Sequence, residues 1–221
     1  LDDTGFRGEI VVIMDPSGSG KTTLLNCVSG IDVPDAGQVK IAGHSIDMHS
    51  SRERTLLRRH RIGIVFQFFN LIPTLTVGEN VGLPFVIAGN EGPDTAKRVD
   101  AMLETVGLLR RRRHHPYELS GGEMQLVSIA RALVAAPDIV LADEPTGNVN
   151  PNIGRSIMEI LRSTTKQTGT SVLMVTHNPE HAAWADRICF LKEGMIRDEL
   201  LQAGVIDNVK AIHEKLVSLG I

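Results

Sequence analysis

Aromatic residues, cysteines and long apolar runs are scarce in this 221-residue chain. Only 4% of the residues are aromatic, and Cys27 and Cys189 are the two cysteines. Both lie in apolar segments without the spacing of a metal site, so we expect reduced core residues of a cytosolic protein. No run approaches the ~18 apolar residues that cross a bilayer, and we recognise no signal peptide. The sequence therefore does not predict a protein that is itself embedded in a membrane.

A large excess of charge is also lacking. The net charge is −3 and the pI is near 6.3, which argues against a dedicated nucleic-acid binder, and no nucleic-acid partner is expected. Two basic clusters, at 52–61 and 110–115, are interpreted as exposed faces of helices. With 42% hydrophobic and 22% charged residues, the composition is that of an ordinary globular chain.

Near its start the chain has a glycine-rich turn between an apolar strand, predicted at 10–14, and a helix. The turn spans Asp15 to Thr22, and backbone N–H groups at such a helix start bind phosphate. Lys21 would reach the outer phosphates and Thr22 would offer its hydroxyl to Mg²⁺. Gly18 and Gly20 allow close backbone approach. The pattern G-x-x-x-x-G-K-[ST] expects glycine where this chain has Asp15.

Three further apolar segments predict buried strands, each followed by polar side chains: 62–66 by Gln67, 138–142 by Asp143 and Glu144, and 171–175 by Thr176 and His177. Polar residues at the carboxyl ends of such strands point into a common crevice. Of the two adjacent acids, one is placed near magnesium and the second is left to orient an attacking water. His177 could contact the terminal phosphate.

The segment Leu119 to Glu123 starts another helix, predicted to continue through 124–136. Ser120 and Glu123 have the spacing of a capping box, in which each side chain satisfies a backbone N–H of the other. The two glycines between them leave the N–H groups of the first turn accessible to a ligand.

Together these motifs resemble the nucleotide-binding subunit of ABC transporters. The family's motifs match this sequence at the Walker A loop 15–22, the Q-loop Gln67, the signature 119–123, the Walker B strand 139–143, the catalytic Glu144 and the switch His177. The segments 66–76 and 142–148 further resemble the branch of lipoprotein-release, macrolide-export and cell-division ATPases.

The resemblance implies an α/β fold: a P-loop NTPase core with a mainly parallel sheet, a small antiparallel β edge truncated at the N-terminus, and a helical signature subdomain. Residues 1–221 would form a single ABC-type ATPase domain. Within it, 1–66 and 137–221 would form the core, and 67–136 the helical subdomain. Because the first strand comes so early, we expect that an upstream segment is missing.

The implied function is to bind and hydrolyse ATP and, through ATP-driven dimerisation, to energise a membrane transporter for export or lipoprotein release. The implied partners are a second copy or an equivalent ATPase and an integral membrane subunit, at the cytoplasmic face of the inner membrane. The resemblance assigns catalysis to Glu144, His177, Gln67 and Lys21; ATP contacts to Pro16, Ser17, Gly18, Ser19, Gly20, Lys21, Thr22, Thr23, Ser120, Gly121, Gly122 and Glu123; and Mg²⁺ contacts to Thr22, Gln67 and Asp143.

Several positions depart from the family's pattern: Asp15, Met124, Leu126 and Asn150, the last where aspartate is usual. The family's adenine-stacking aromatic residue is absent from this sequence, and such stacking is worth ~1–3 kcal/mol per base. Because of these departures, an alternative function remains: a nucleotide-binding regulatory module with impaired hydrolysis. A soluble ABC ATPase of DNA repair or translation is a further alternative, although it would usually carry a second cassette or long coiled-coil inserts.

We predict that Asp15→Gly strengthens ATP binding by about tenfold or more and raises hydrolysis. A residue with a Cβ costs ~1–3 kcal/mol in backbone conformations suited to glycine. A carboxylate 4 Å from a phosphate charge adds ~1 kcal/mol of repulsion in water and more in a partly dry crevice. Isothermal titration of both forms at matched magnesium measures the difference. Equal affinities would show that Asp15 is turned out of the site.

Overall fold

The structure, a computed structural model, describes residues 7–14, 20–201 and 209–220. The described residues form the strands β1 (Ile10–Met14), β2 (Val39–Ile41), β3 (His44–Ile46), β4 (Ile62–Val65), β5 (Ile139–Asp143), β6 (Ser171–Val175), β7 (Arg187–Lys192) and β8 (Met195–Leu201). They also form the helices α1 (Lys21–Ser29), α2 (Ser51–His60), α3 (Val77–Ala88), α4 (Pro93–Thr105), α5 (Gly121–Leu133), α6 (Pro151–Thr168), α7 (Pro179–Ala182) and α8 (Val209–Leu219).

The main sheet has six strands in the order β4-β5-β6-β1-β7-β8. All neighbouring strands are parallel except β7 and β8, which pair antiparallel with an irregularity between Phe190 and Leu191. Strands β2 and β3 form a separate antiparallel pair. The mainly parallel sheet and the small antiparallel element are therefore as predicted, whereas the β7–β8 hairpin was not anticipated.

Helices cover both faces of the sheet, and this explains the continuous apolar character of its strands. Every residue of β1 is buried. On one face, Val12 and Val140 belong to a core with Ile129 of α5 and Ile157 of α6. On the other face, Val11 and Leu141 pack with Leu25 of α1 and Leu57 of α2. Because both faces are buried, the strand sequences show no polar alternation.

Between β4 and β5 the described chain contains helices alone: α3, α4, two short 3₁₀ turns (Leu109–Arg111 and Pro116–Glu118) and α5. Helix α5 begins at Gly121, directly after its capping residue Ser120, and ends at Leu133. The predicted start within 119–123 is therefore confirmed, whereas the helix ends three residues before the predicted end at 136. Leu126, apolar where the family pattern has a basic residue, is 7% exposed and belongs to the core.

The last described helix, α8, packs against the core. Ile212 is fully buried, and Val209, Leu216 and Leu219 lie against the core. None of the described helices is long and apolar enough to cross a membrane.

The two cysteines differ in their burial. Cys189 in β7 is buried, whereas Cys27 in α1 is partly exposed. Burial raises the pKa of the Cys27 thiol, and the nearby carboxylates of Asp32 and Asp35 raise it further.

The two basic clusters are less solvated than the sequence predicted. Arg54 and Arg58 of α2 donate to the carbonyl of Gly30, the residue that caps the C-terminus of α1. In the second cluster, Arg111 pairs with Glu123 and Arg112 with Asp100. These arginines therefore connect different elements of the fold. Their partners are a carbonyl at a helix C-terminus and partly exposed carboxylates, and both attract cations.

Gly63→Ala is expected to lower the free energy of unfolding by about 1–3 kcal/mol, the usual cost of overpacking. Strand β4 lies so close to the end of α5 that a Cβ on Gly63 would stand 2.2 Å from the carbonyl oxygen of Ala132. Urea denaturation measures the change. Gly82→Ala in α3 is the control. Its Cβ would lie 3.4 Å from a Val99 methyl group, and alanine has a higher helix propensity than glycine. A Gly63 variant as stable as the parent would contradict this close contact.

Candidate functional site

The carboxyl ends of β1, β4, β5 and β6 lie along one edge of the sheet because these strands are parallel. At this edge the start of α1 contacts the end of β5: the Thr22 hydroxyl donates to Oδ2 of Asp143 at 3.0 Å. Two oxygen ligands at neighbouring corners of a magnesium octahedron are about 3.0 Å apart. Thr22 and Asp143 therefore have the chemistry and the separation of two ligands of one Mg²⁺.

The described residues contain no cluster of three or more His, Cys, Asp or Glu side chains that could hold a metal ion by themselves. This fits magnesium, which is commonly held by one or two protein groups together with substrate phosphates and water.

The N-terminus of helix α1 lies at the same edge. The N-cap residue of α1 is Gly20, which has φ +92°, a conformation that favours glycine, and which has no side chain to cap the helix. Lys21 is the first helical residue, and burial lowers the pKa of its ammonium group while Glu144 and Asp143 oppose this effect. The predicted phosphate contacts Pro16, Ser17, Gly18 and Ser19, together with Asp15, lie outside the described residues.

Glu144 follows Asp143 in a left-handed conformation, with φ +45°. Its Oε1 lies 2.7 Å from Nδ1 of His177, and its Oε2 accepts a hydrogen bond from the Thr176 hydroxyl at 3.3 Å. The Glu144 side chain is only 12% exposed, whereas His177 is 70% exposed. The structure thus brings together the acid and the histidine that the sequence placed at the ends of β5 and β6.

Gln67 is exposed at the end of β4, and its backbone is held by a residue to which the sequence assigned no role. The Asn148 amide donates to the Gln67 carbonyl at 3.0 Å. On the other side of the loop, the Arg131 guanidinium of α5 donates to the carbonyls of Phe69 and Asn70. Burial lowers the pKa of Arg131. These contacts join segments 61 to 81 residues apart, and no local sequence pattern signals them.

The signature segment has the capping box that its spacing predicted. The Ser120 hydroxyl accepts from the Glu123 N–H at 3.3 Å, and Oε2 of Glu123 accepts from the Ser120 N–H at 2.8 Å. The Ser120 hydroxyl also donates to Oε2 of Glu123 at 2.8 Å, and the two hydrogen bonds that Ser120 donates lower the pKa of the Glu123 carboxyl. Gly122 lies against α6, where a Cβ would stand 3.2 Å from Ile153. In the described part of the chain, no hydrogen bond of Ser120 or Glu123 goes to Thr22, Asp143, Glu144 or His177.

Asn150 stands where the family pattern has aspartate, and here it is the N-cap of α6. Its Oδ1 accepts from the Ile153 N–H at 3.0 Å. Asparagine and aspartate are about equally good in this position. The substitution therefore keeps the local backbone structure.

Comparison with known proteins gives a consistent result. The family model described as ABC transporter matches residues 4–147. An uncharacterized ABC transporter ATP-binding protein of Mycobacterium tuberculosis is 49% identical over 189 residues, which is 86% of this chain and 76% of that protein. The lipoprotein-releasing system ATP-binding protein LolD of a Shewanella species is 42% identical over 192 residues, covering 87% and 83%.

Solved structures show the same fold. The ATP-binding cassette MJ0796, as a post-hydrolysis dimer bound to ADP and Pi, superimposes with a TM-score of 0.82 at 40% identity, covering 91% of this chain and 89% of that one. The cbiO1 protein of Clostridium perfringens, part of the ABC transporter complex cbiONQ, gives a TM-score of 0.81 at 29% identity, covering 97% and 84%.

Glu144→Gln is expected to preserve ATP binding, to reduce turnover to background and to accumulate an ATP-bound dimer. The amide keeps the size of the side chain but cannot accept a proton from water. Steady-state hydrolysis, nucleotide titration and size-exclusion chromatography measure the three effects. Glu180→Gln is the matched control, since Glu180 is an exposed acid in α7. Hydrolysis at the parent rate by the Glu144 variant would exclude the assigned role.

Proposed function

The chain belongs to the ABC transporter family of ATP-binding proteins, and from this we propose that it hydrolyses ATP at the Thr22–Asp143–Glu144–His177 edge to energise a membrane transporter. The family makes the chain an ABC-type ATPase. Two contacts support this location of the site: Thr22 with Asp143, and Glu144 with His177. Both lie at the carboxyl end of β5.

In this proposal, residues 15–22 bind the phosphates of ATP at the start of α1, together with Thr23 in the first turn. Lys21 contacts the outer phosphates and stabilises the charge that develops on the transferred group. Thr22, Asp143 and Gln67 would hold Mg²⁺, which would neutralise phosphate charge. Glu144 orients the attacking water and takes up its proton, while His177 holds the Glu144 carboxylate and contacts the γ-phosphate.

Completion of the site requires a second subunit. Ser120 to Glu123 form a second anion-binding helix start, and among the described residues their hydrogen bonds do not reach the Thr22–Asp143 pair of their own chain. Two chains arranged head to tail about a two-fold axis would place the signature of one against the ATP of the other. Hydrolysis would then remove the ligand that holds the subunits together. The dimeric MJ0796 cassette supports this arrangement.

The transporter itself would be an integral membrane partner, with this chain bound at its cytoplasmic face. We assign residues 67–136 to a helical unit that contacts this partner, because they contain α3 to α5 and the Q-loop. The similarity to LolD favours lipoprotein release or export as the process that is driven.

The trans arrangement predicts complementation between two inactive variants. Ser120→Arg should block the signature and Lys21→Ala the phosphate loop, so each homodimer should be inactive. In a mixed dimer, one site combines the intact Lys21 of one subunit with the intact Ser120 of the other. An equimolar mixture should therefore regain activity, at most about a quarter of the parent value for random pairing. Hydrolysis measured after subunit exchange tests this. A mixture as inactive as its components, with exchange confirmed, would refute pairing in trans.

A further inference from the structure

Glu144 is followed by a tight turn whose two central residues are buried. The Gly147 N–H donates to the Glu144 carbonyl at 3.0 Å, which closes the turn over Pro145 and Thr146. The Glu144 N–H is itself bonded to the Val175 carbonyl of β6. Since Glu144 has φ +45°, a conformation that non-glycine residues adopt only when their surroundings hold it, the contacts of this turn matter for the placement of the carboxylate.

Two side chains from other elements hold the turn. Gln125 of α5, which is 1% exposed, donates from Nε2 to the Pro145 carbonyl at 2.7 Å. His181 of α7 lies with its Nδ1 2.7 Å from the hydroxyl of Thr146, which is only 5% exposed. Helix α7 follows His177 directly, so the segment that holds the Glu144 carboxylate also holds the turn behind it.

The His181 ring has little freedom to move. A Cβ on Gly154 of α6 would stand 2.9 Å from its Nε2 and 3.8 Å from the Thr146 Cβ. The ring is therefore wedged between α6 and the turn. Burial lowers the pKa of His181, although Glu180 and Glu144 act in the opposite direction. The neutral form is thus favoured, and a neutral imidazole can bond the Thr146 hydroxyl in a fixed orientation.

We propose that His181 is a positioning residue for Glu144, acting through the Thr146 hydroxyl. This inference rests on the proposed role of Glu144 and extends it to a residue that touches neither ATP nor the reacting water. In physical terms, the hydrogen bond fixes the turn and the turn fixes the left-handed backbone at Glu144. The carboxylate is then held ready at a constant position relative to His177.

The test is a double-mutant cycle on ATP hydrolysis. His181→Leu and Thr146→Val each remove one partner of the hydrogen bond and should each lower kcat about tenfold, with KM changed less than about twofold. The double variant should be no more than about twofold slower than either single variant, because the bond can be lost only once. His181→Asn, whose amide can occupy the place of Nδ1, should recover kcat to within about threefold of the parent.

Two further readouts separate positioning from a general loss of structure. His213→Leu in α8 is the control, since His213 is exposed, and it should keep the parent kcat. The ¹⁵N resonance of His181 Nδ1 should shift in Thr146→Val. This measurement detects the hydrogen bond without ATP hydrolysis, so the proposal can be tested even if His181→Leu does not fold.

Three results would overturn the proposal: an unchanged kcat in both single variants, a double variant about a hundredfold slower than the parent, or an Asn variant as impaired as Leu. Failure of the proposed function is distinguishable from these. It would appear as parental hydrolysis by Glu144→Gln, while the Nδ1 resonance would still report the His181–Thr146 bond.

Discussion

Parallel pairing of β5 with both β4 and β6 is the constraint on which the site depends. It places Ile139 to Ala142 beside Ile62 to Val65 on one side, and Ile139 to Asp143 beside Ser171 to Val175 on the other. With this register, Asp143 ends its strand next to the first turn of α1, and Glu144 begins its turn next to Thr176 and His177. A shift by one residue would turn each of these side chains to the opposite face of the sheet.

Around this fixed edge the chain connects its parts by polar contacts over long sequence distances. The Q-loop is held by Asn148 from the core and by Arg131 from the signature helix. The turn after Glu144 is held by Gln125 from the same helix. The helix that carries Ser120 therefore contacts both the loop after β4 and the loop after β5. A rigid shift of α5 would disturb both loops, since it would break the buried hydrogen bond from Gln125 to the Pro145 carbonyl and the partly buried one from Arg131 to the Phe69 carbonyl.

The parts of this structure that were predictable from sequence are those with local signals. The strands β1, β4, β5 and β6 are short apolar runs that end in polar residues, and the Ser120 capping box needs only residues three apart. The residues that were missed, Asn148, Gln125, Arg131 and His181, act through partners 20 to 81 residues away. Such contacts follow from the packing of whole elements, which no periodicity in the chain reveals. The β7–β8 hairpin was missed because the sequence of β8 does not alternate between apolar and polar residues. Arg197, Asp198 and Glu199 are adjacent in its middle, and its pairing with β7 is irregular.

The state of the two thiols has a practical consequence for spectroscopy. Maleimides and related reagents attack the thiolate. Cys189 is shielded by the sheet, and Cys27 keeps its proton because its pKa is raised. A cysteine introduced at the highly exposed Tyr117, near the signature helix, would react with a dye far faster than either native residue. The association of labelled subunits could then be followed by energy transfer in a chain that retains both of its own cysteines.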